Sequence, residues 1–294
     1  MIQMKKRSAS LLLPLLLLAS VNWAQPFRKK FEPGIKKRYQ LVMEQWYNGK
    51  LNDHVVSVCE LTTIQDSGAW YEEVKWISMV QYKEKDTLVL DSLAARVTAY
   101  RIALDSIGKM ELPKIHIPEM TQPIQDFTTF FVAISPQLGI NHLHRQGDVY
   151  DVPRIITGDL TSGNFILKGA DCFHVQLKYA SKKKKLATLI TSFQAPRESC
   201  ISYYLPEMST QVVDGVNNNI QMVMPAKDKF NVQWGREEFT IESKVNTRTG
   251  RLLSATMDNS LTFKMKINCN DGYKECAFEM PFKIERKLRV NMME

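Results

Sequence analysis

Histidine is scarce in this chain, five residues among 294, and only His142-Leu143-His144 brings two of them together. A resident zinc needs three or four ligands at defined spacing. On a strand, alternation would place the His142 and His144 imidazoles on one side, with Asp148 and Asp151 nearby in sequence. That pair is the candidate metal site. The plainer reading is two histidines in a loop, because the full signature of a metallohydrolase is missing. His54, His116 and His174 stand alone.

Glycine is thin as well, at 13 residues, and none of them builds a phosphate cradle. Gly158 and Gly163 flank Asp159 to Ser162 with no Lys-Ser/Thr behind them. No Gly-x-Ser-x-Gly elbow presents a serine nucleophile. Heptads and low-complexity tracts are absent too. These gaps leave no motif that calls for a cofactor.

What is present begins with an address. Lys5, Lys6 and Arg7 precede an apolar run, Leu11 to Val21, whose length suits a secretory signal of about 7–15 apolar residues and not a bilayer span of about 20. Cleavage is expected after Ala24, with Ser20 as the alternative, making residues 1–24 a signal peptide. Arg28, Lys29 and Lys30 keep a retained anchor open as the other reading. The first cysteine is Cys59, far beyond the run, which argues against a lipoprotein. The expectation is a soluble periplasmic or secreted protein with no transmembrane segment after cleavage.

Removing residues 1–24 takes away Lys5, Lys6 and Arg7 and no acid, so the formal charge falls from +8 to +5. Basic residues are scattered apart from Lys182 to Lys185, so nucleic acid is not an expected partner. Those four lysines lie between two strand-like runs, Phe173 to Tyr179 and Leu186 to Phe193, as a solvated hairpin tip would. Attraction to anionic lipid, glycan or polyanion is the alternative.

Outside the cytosol, five cysteines tend to pair. Cys269 and Cys276 flank Asn270-Asp271-Gly272 and are expected to bond across a hairpin. Cys172 with Cys200 is the next candidate pair, which leaves Cys59 as a buried, inert thiol.

Period-2 patterning dominates, and the fold class it predicts is mainly β: an antiparallel meander, in one sheet or two lobes, with one short aromatic helix. Trp70 to Tyr82 reads as one unbroken alternating strand. Phe239 to Val245, Leu252 to Met257, Leu261 to Ile267 and Ile284 to Met292 read as four more, with turns at Asn246 to Gly250, Asp258-Asn259 and Asn270 to Gly272. The helix is predicted over about 124–135. Ile124, Phe127, Phe130, Phe131 and Ile134 recur at spacings of three and four, Pro123 starts it and Ser135-Pro136 closes it. Trp70-Tyr71-Glu72-Glu73 and Trp234-Gly235-Arg236-Glu237-Glu238 hint at a repeat, dividing the mature chain into a lobe over 25–136 and another over 137–294.

Function is weighed among three classes. The first is a non-enzymatic exported binding or envelope-associated protein, in which the Phe127, Phe130, Phe131 and Ile134 stripe lines an apolar pocket. Its partner would be an apolar small molecule or an envelope component. The second is a structural or surface-interaction module. The third is a glycan hydrolase using Glu72 and Glu237, which would have to stand about 5–9.5 Å apart.

Overall fold

The computed structural model describes Phe27 and residues 31–83, 86–108, 115–152, 158–161, 165–167, 174–194, 203–204, 220–226 and 228–293. The leader run, Cys172 and Cys200 lie outside these residues.

Period-2 alternation becomes strand. β1 (Lys36–Tyr47), β2 (Lys50–Asp66) and β3 (Ala69–Tyr82) form a meander. Its turns are Asn48-Gly49 and Ser67-Gly68, with positive φ at all four residues, the geometry that matches the twist of a two-residue hairpin. β4 (Thr87–Val89), α1 (Asp91–Ala95) and β5 (Tyr100–Ala103) then pack along the β3 edge. After α2 (Pro118–Val132) come β6 (Val149–Asp151), β7 (Gly158–Thr161) and β8 (Phe165–Leu167). A hairpin of β9 (Val175–Lys183) and β10 (Leu186–Phe193), then β11 (Tyr203–Tyr204) and β12 (Ile220–Ala226), lead to three long strands. These are β13 (Lys229–Asn246), β14 (Arg251–Cys269) and β15 (Phe278–Met292).

All the described strands belong to one sheet, running β4-β3-β2-β1-β15-β14-β13-β12-β11-β8-β7. β15 pairs with β1, which joins the early meander to the late one. The sheet forks at β13, whose first half pairs with β12 and second half with β10. Pairing is antiparallel except for a single β11–β12 rung.

One buried cluster takes side chains from α2 and from eight neighbouring strands, β9, β10, β13, β14, β15, β1, β2 and β3. Laid flat, eight strands would span about 34 Å, whereas a helix is only about 10–12 Å across. The sheet therefore curves around α2. Tyr39, Leu41, Trp76, Ile241 and Val290 share this cluster with Phe127 and Phe130, all nearly or fully buried.

Four local expectations are corrected. The helix begins at Pro118 and ends at Val132, so Pro118 and not Pro123 takes the first helical position. Pro123 lies inside, buried on the packing face, and Ile134 follows the helix in the core. Asp258-Asn259 is no turn, because β14 runs through it with ladder partners on both sides, Thr240 and Phe239 on β13 and Lys287 and Arg286 on β15. Two-sided pairing satisfies a backbone that local turn propensity alone would have bent. β3 is not an unbroken alternation either. Ile77 is an extra residue between the Val58–Ser78 and Cys59–Trp76 rungs, so the buried phase moves from Val74 and Trp76 to Met79; a bulge of this kind flips which face each side chain takes. Finally, His142 ends a short 3-10 turn, Ile140–His142, and is not on a strand.

Candidate functional site

Four charged or amide side chains interrupt the apolar pattern of the concave surface, and they sit together. Arg286 falls in phase between Ile284 and Leu288 on β15, and Asn259 stands opposite it on β14. Glu237 lies on the same face of β13, two residues before the Asn259 partner Phe239. Asp126 comes from α2. Its carboxylate accepts hydrogen bonds from Arg286 Nη2 and from Gln122 Nε2, the latter at 2.9 Å. Asn259 Nδ2 donates to Glu237 Oε1 at 2.9 Å.

The Asp126 and Arg286 side chains are 5% and 12% exposed. Burial pushes the Asp126 carboxyl above the ordinary carboxylate range, against the pull of the Arg286 guanidinium. Glu237, half-buried, is also raised, first by burial and then by the Asp126 charge, while Asn259 and Arg286 oppose the shift. Two acids share one guanidinium here, which favours keeping a proton in the cluster. Arg286 Nε and Asn259 Oδ1 are buried without a hydrogen-bond partner among the described residues. One donor and one acceptor are thus available to a polar group brought between them.

Past this cluster the concave face continues without α2 residues in its rungs. Tyr47, Ile284 and Leu261 form one cross-strand row, Phe282 and Phe263 the next, and Met280 and Met265 a third. Phe263 is buried, whereas Tyr47, Leu261, Met265, Met280, Phe282 and Ile284 are half-buried, and Phe278 beyond them is 53% exposed. Opposite Phe263 stands Gly235, where a Cβ would come within 2.0 Å of the Thr262 carbonyl oxygen. Only glycine lets the backbones approach that closely.

The sequence candidates scatter. Glu72 accepts a hydrogen bond from Thr63 at 3.0 Å, on a rung that reaches β1 near Lys36, while the Glu237 rung reaches β1 at Tyr47. Those levels are roughly 36 Å apart along the strand, far outside glycosidase reach. The acid that does meet Glu237 is Asp126, which sequence reasoning passed over.

Phe127 and Phe130 are fully buried, and Phe131 and Ile134 are 5% and 1% exposed. Phe127 packs edge-on against Trp76 and Tyr39, at 5.7 and 5.9 Å between ring centres. The gap bordered by Tyr39, Glu72, Phe131 and Leu252 is about 20 Å³, the space of a water molecule. The aromatic stripe is therefore packed as core, with Phe131 at the border of that small gap.

His142 stacks on Tyr150 at 4.0 Å, and the His144 backbone N–H donates to Asp148. Among the described residues no group of three or more His, Cys, Asp or Glu could hold a metal ion. Cys269 and Cys276 are bonded, and the loop they close folds Tyr273 onto Phe230 on the convex side. Cys59 is a buried free thiol whose pKa burial raises, which keeps it inert. No described helix is long and apolar enough to cross a membrane.

The missed residues did leave a signal. Asp126, Arg286 and Asn259 each put a polar group into the inward phase of an otherwise apolar face.

No protein-family model and no curated protein matches the chain. Among solved structures, one described as lipid-protein interactions in lipovitellin aligns over 90% of this chain and 26% of its own, with TM-score 0.44 and 9% identity. OmpT, an outer membrane protein of Vibrio cholerae, aligns over 89% of this chain and 100% of its own, at TM-score 0.16 and 8% identity. The chain spans about a quarter of the lipovitellin chain, and neither likeness carries a functional argument.

Proposed function

We propose that the protein is an exported, non-enzymatic binding protein that takes an apolar or amphipathic small molecule onto the distal half of its concave sheet. The observation that carries this reading is the half-buried strip of Tyr47, Leu261, Met265, Met280, Phe282 and Ile284. It runs on from the packed core, on the same face of the same strands. Methionine suits such a surface because its flexible, polarisable side chain adapts to irregular apolar shapes. At its inner end, Arg286 Nε and Asn259 Oδ1 offer a donor and an acceptor for a polar head. The basic start and apolar run of the first 24 residues support export, and the Cys269–Cys276 bond suits an oxidising compartment.

The test is titration of the disulfide-intact protein with the fluorescent apolar probe N-phenyl-1-naphthylamine. Saturable binding is expected, weakened at least about tenfold by Phe282→Asp or Met265→Asp, with the thermal midpoint of each variant close to that of the parent. Absence of binding, or binding indifferent to both substitutions, overturns the reading.

A further inference from the structure

Three loops meet at the end of the sheet where β13 turns into β14. The β9–β10 tip carries Lys182, Lys183, Lys184 and Lys185, all exposed. Beside it the β13–β14 turn presents exposed Arg248, and the turn before β6 presents exposed Arg145. Backbone groups fix the three loops against one another. Thr247 N–H donates to the Lys185 carbonyl at 2.8 Å, Gly147 N–H to the Tyr179 carbonyl at 2.8 Å, and Lys182 N–H to Gln146 Oε1 at 3.3 Å. Within residues 144–148, 182–185 and 246–251 the one acid is Asp148, which Arg145 and two backbone N–H groups already hold. Lys182 to Lys185, Arg145 and Arg248 therefore share a rigid rim of nearly uncompensated positive charge.

A second observation gives this rim a direction. Phe27 is buried with its ring edge-on to Tyr179 at 5.0 Å, and Tyr179 is the residue whose carbonyl anchors Gly147 at the foot of the rim. Phe31 then stacks on Trp70 at 5.2 Å. The N-terminal segment thus joins the folded body beside the rim. The apolar run Leu11 to Val21 ends only a few residues before Phe27, a reach of about 20 Å at most. Until residues 1–24 are removed, that run is tethered to the end of the body that carries the rim.

We propose that this rim docks the folded protein on a membrane surface rich in anionic phospholipid. Lysines on loop tips suit such a partner, because flexible point charges can meet headgroups in no fixed arrangement. The three loops carry no Phe, Trp or Tyr on which a base could stack, which disfavours single-stranded nucleic acid. The rim also lies about 33 Å along β14 from the apolar strip, counted from Arg251 to Leu261. Docking and ligand uptake are thereby separable.

Vesicle flotation of the exported, disulfide-intact protein tests this, using phosphatidylcholine vesicles with and without phosphatidylglycerol. Binding is expected only to the phosphatidylglycerol vesicles and is lost in high salt. Each cation near an anionic surface strengthens binding about fivefold. Replacing Lys182, Lys183, Lys184 and Lys185 with Gln should then weaken it by roughly 10² to 10³, and Arg145→Gln with Arg248→Gln by about 25-fold. A control variant with Gln at exposed Lys229, Lys264, Lys274 and Lys283, toward the other end of the strands, should lose less than about fivefold. Equal losses in rim and control variants overturn the proposal. So does undiminished binding to pure phosphatidylcholine, or tighter binding to a DNA duplex or a sulfated polysaccharide than to vesicles. Retained probe binding in the rim variants separates this result from failure of the ligand-uptake reading.

Discussion

The concave surface of this sheet is used in two ways along the same strands. Toward the start of β1, α2 covers it, and Phe127, Phe130, Tyr39 and Trp76 pack to near-complete burial. Toward the end of β1, the same inward phase carries Tyr47, Ile284, Leu261 and Phe282 only half-buried. Between the two stand Asp126, Arg286, Asn259 and Glu237. The difference teaches that alternation selects a face, while the partner that covers the face decides whether it becomes core or stays half-exposed.

The comparison breaks most sharply at Phe127. Phe127→Ala should cost about 3–5 kcal/mol, since it removes a fully packed ring and leaves a cavity. Phe282→Ala should cost about 1 kcal/mol, because a half-buried ring gives up less area. Urea midpoints at constant slope measure both, and equal losses would erase the distinction between the halves.

Next comes the boundary. Asp126→Ala leaves the buried Arg286 guanidinium without its hydrogen-bonded carboxylate, with an expected loss of about 3 kcal/mol. Asp126→Leu combined with Arg286→Met should recover most of it, since two apolar groups restore packing without a stranded charge. A double variant no better than the single one would mean that the pair does more than neutralise itself.

The smallest expected effect is pH-dependent. The folded state holds the Glu237 proton more tightly than the unfolded chain does, because burial raises its pKa. The contribution of Glu237 to stability should therefore be complete below the unfolded value, about 4.3, and be lost as pH rises through the folded value. Glu237→Gln should remove that loss, so that the variant gains on the parent as pH rises. Denaturant melts at a series of pH values check it, and parallel curves for the two proteins would refute the assignment.

Much of the architecture was legible in residue order. Strict alternation over Leu261 to Ile267 and over the final strand marked the inward and outward faces correctly, and Cys269 with Cys276 was readable from its turn. The site was harder to see. Asn259 looked like half of a turn, Arg286 was hidden among the neighbouring charges of β15, and Asp126 passed beneath an aromatic stripe. Glu237 was singled out as a candidate glycosidase acid but matched with Glu72, which lies on a distant rung. The Ile77 bulge moved the buried phase of β3 by one residue with no local mark in the sequence.

By itself, the sequence determined which residues alternate, where Asn246 to Gly250 and Asn270 to Gly272 reverse the chain, and that one aromatic helix would need a sheet to bury it. It also placed four consecutive lysines at a hairpin tip. Tertiary structure alone decided that β15 pairs with β1, so that Arg286, Asn259 and Asp126 converge from separated segments. It alone set the lysine tip beside Arg248, Arg145 and the arriving N-terminal segment. The reason is physical: periodicity is a local property of the backbone, whereas strand order and charge neighbourhoods are set by long-range pairing, which no window of sequence contains.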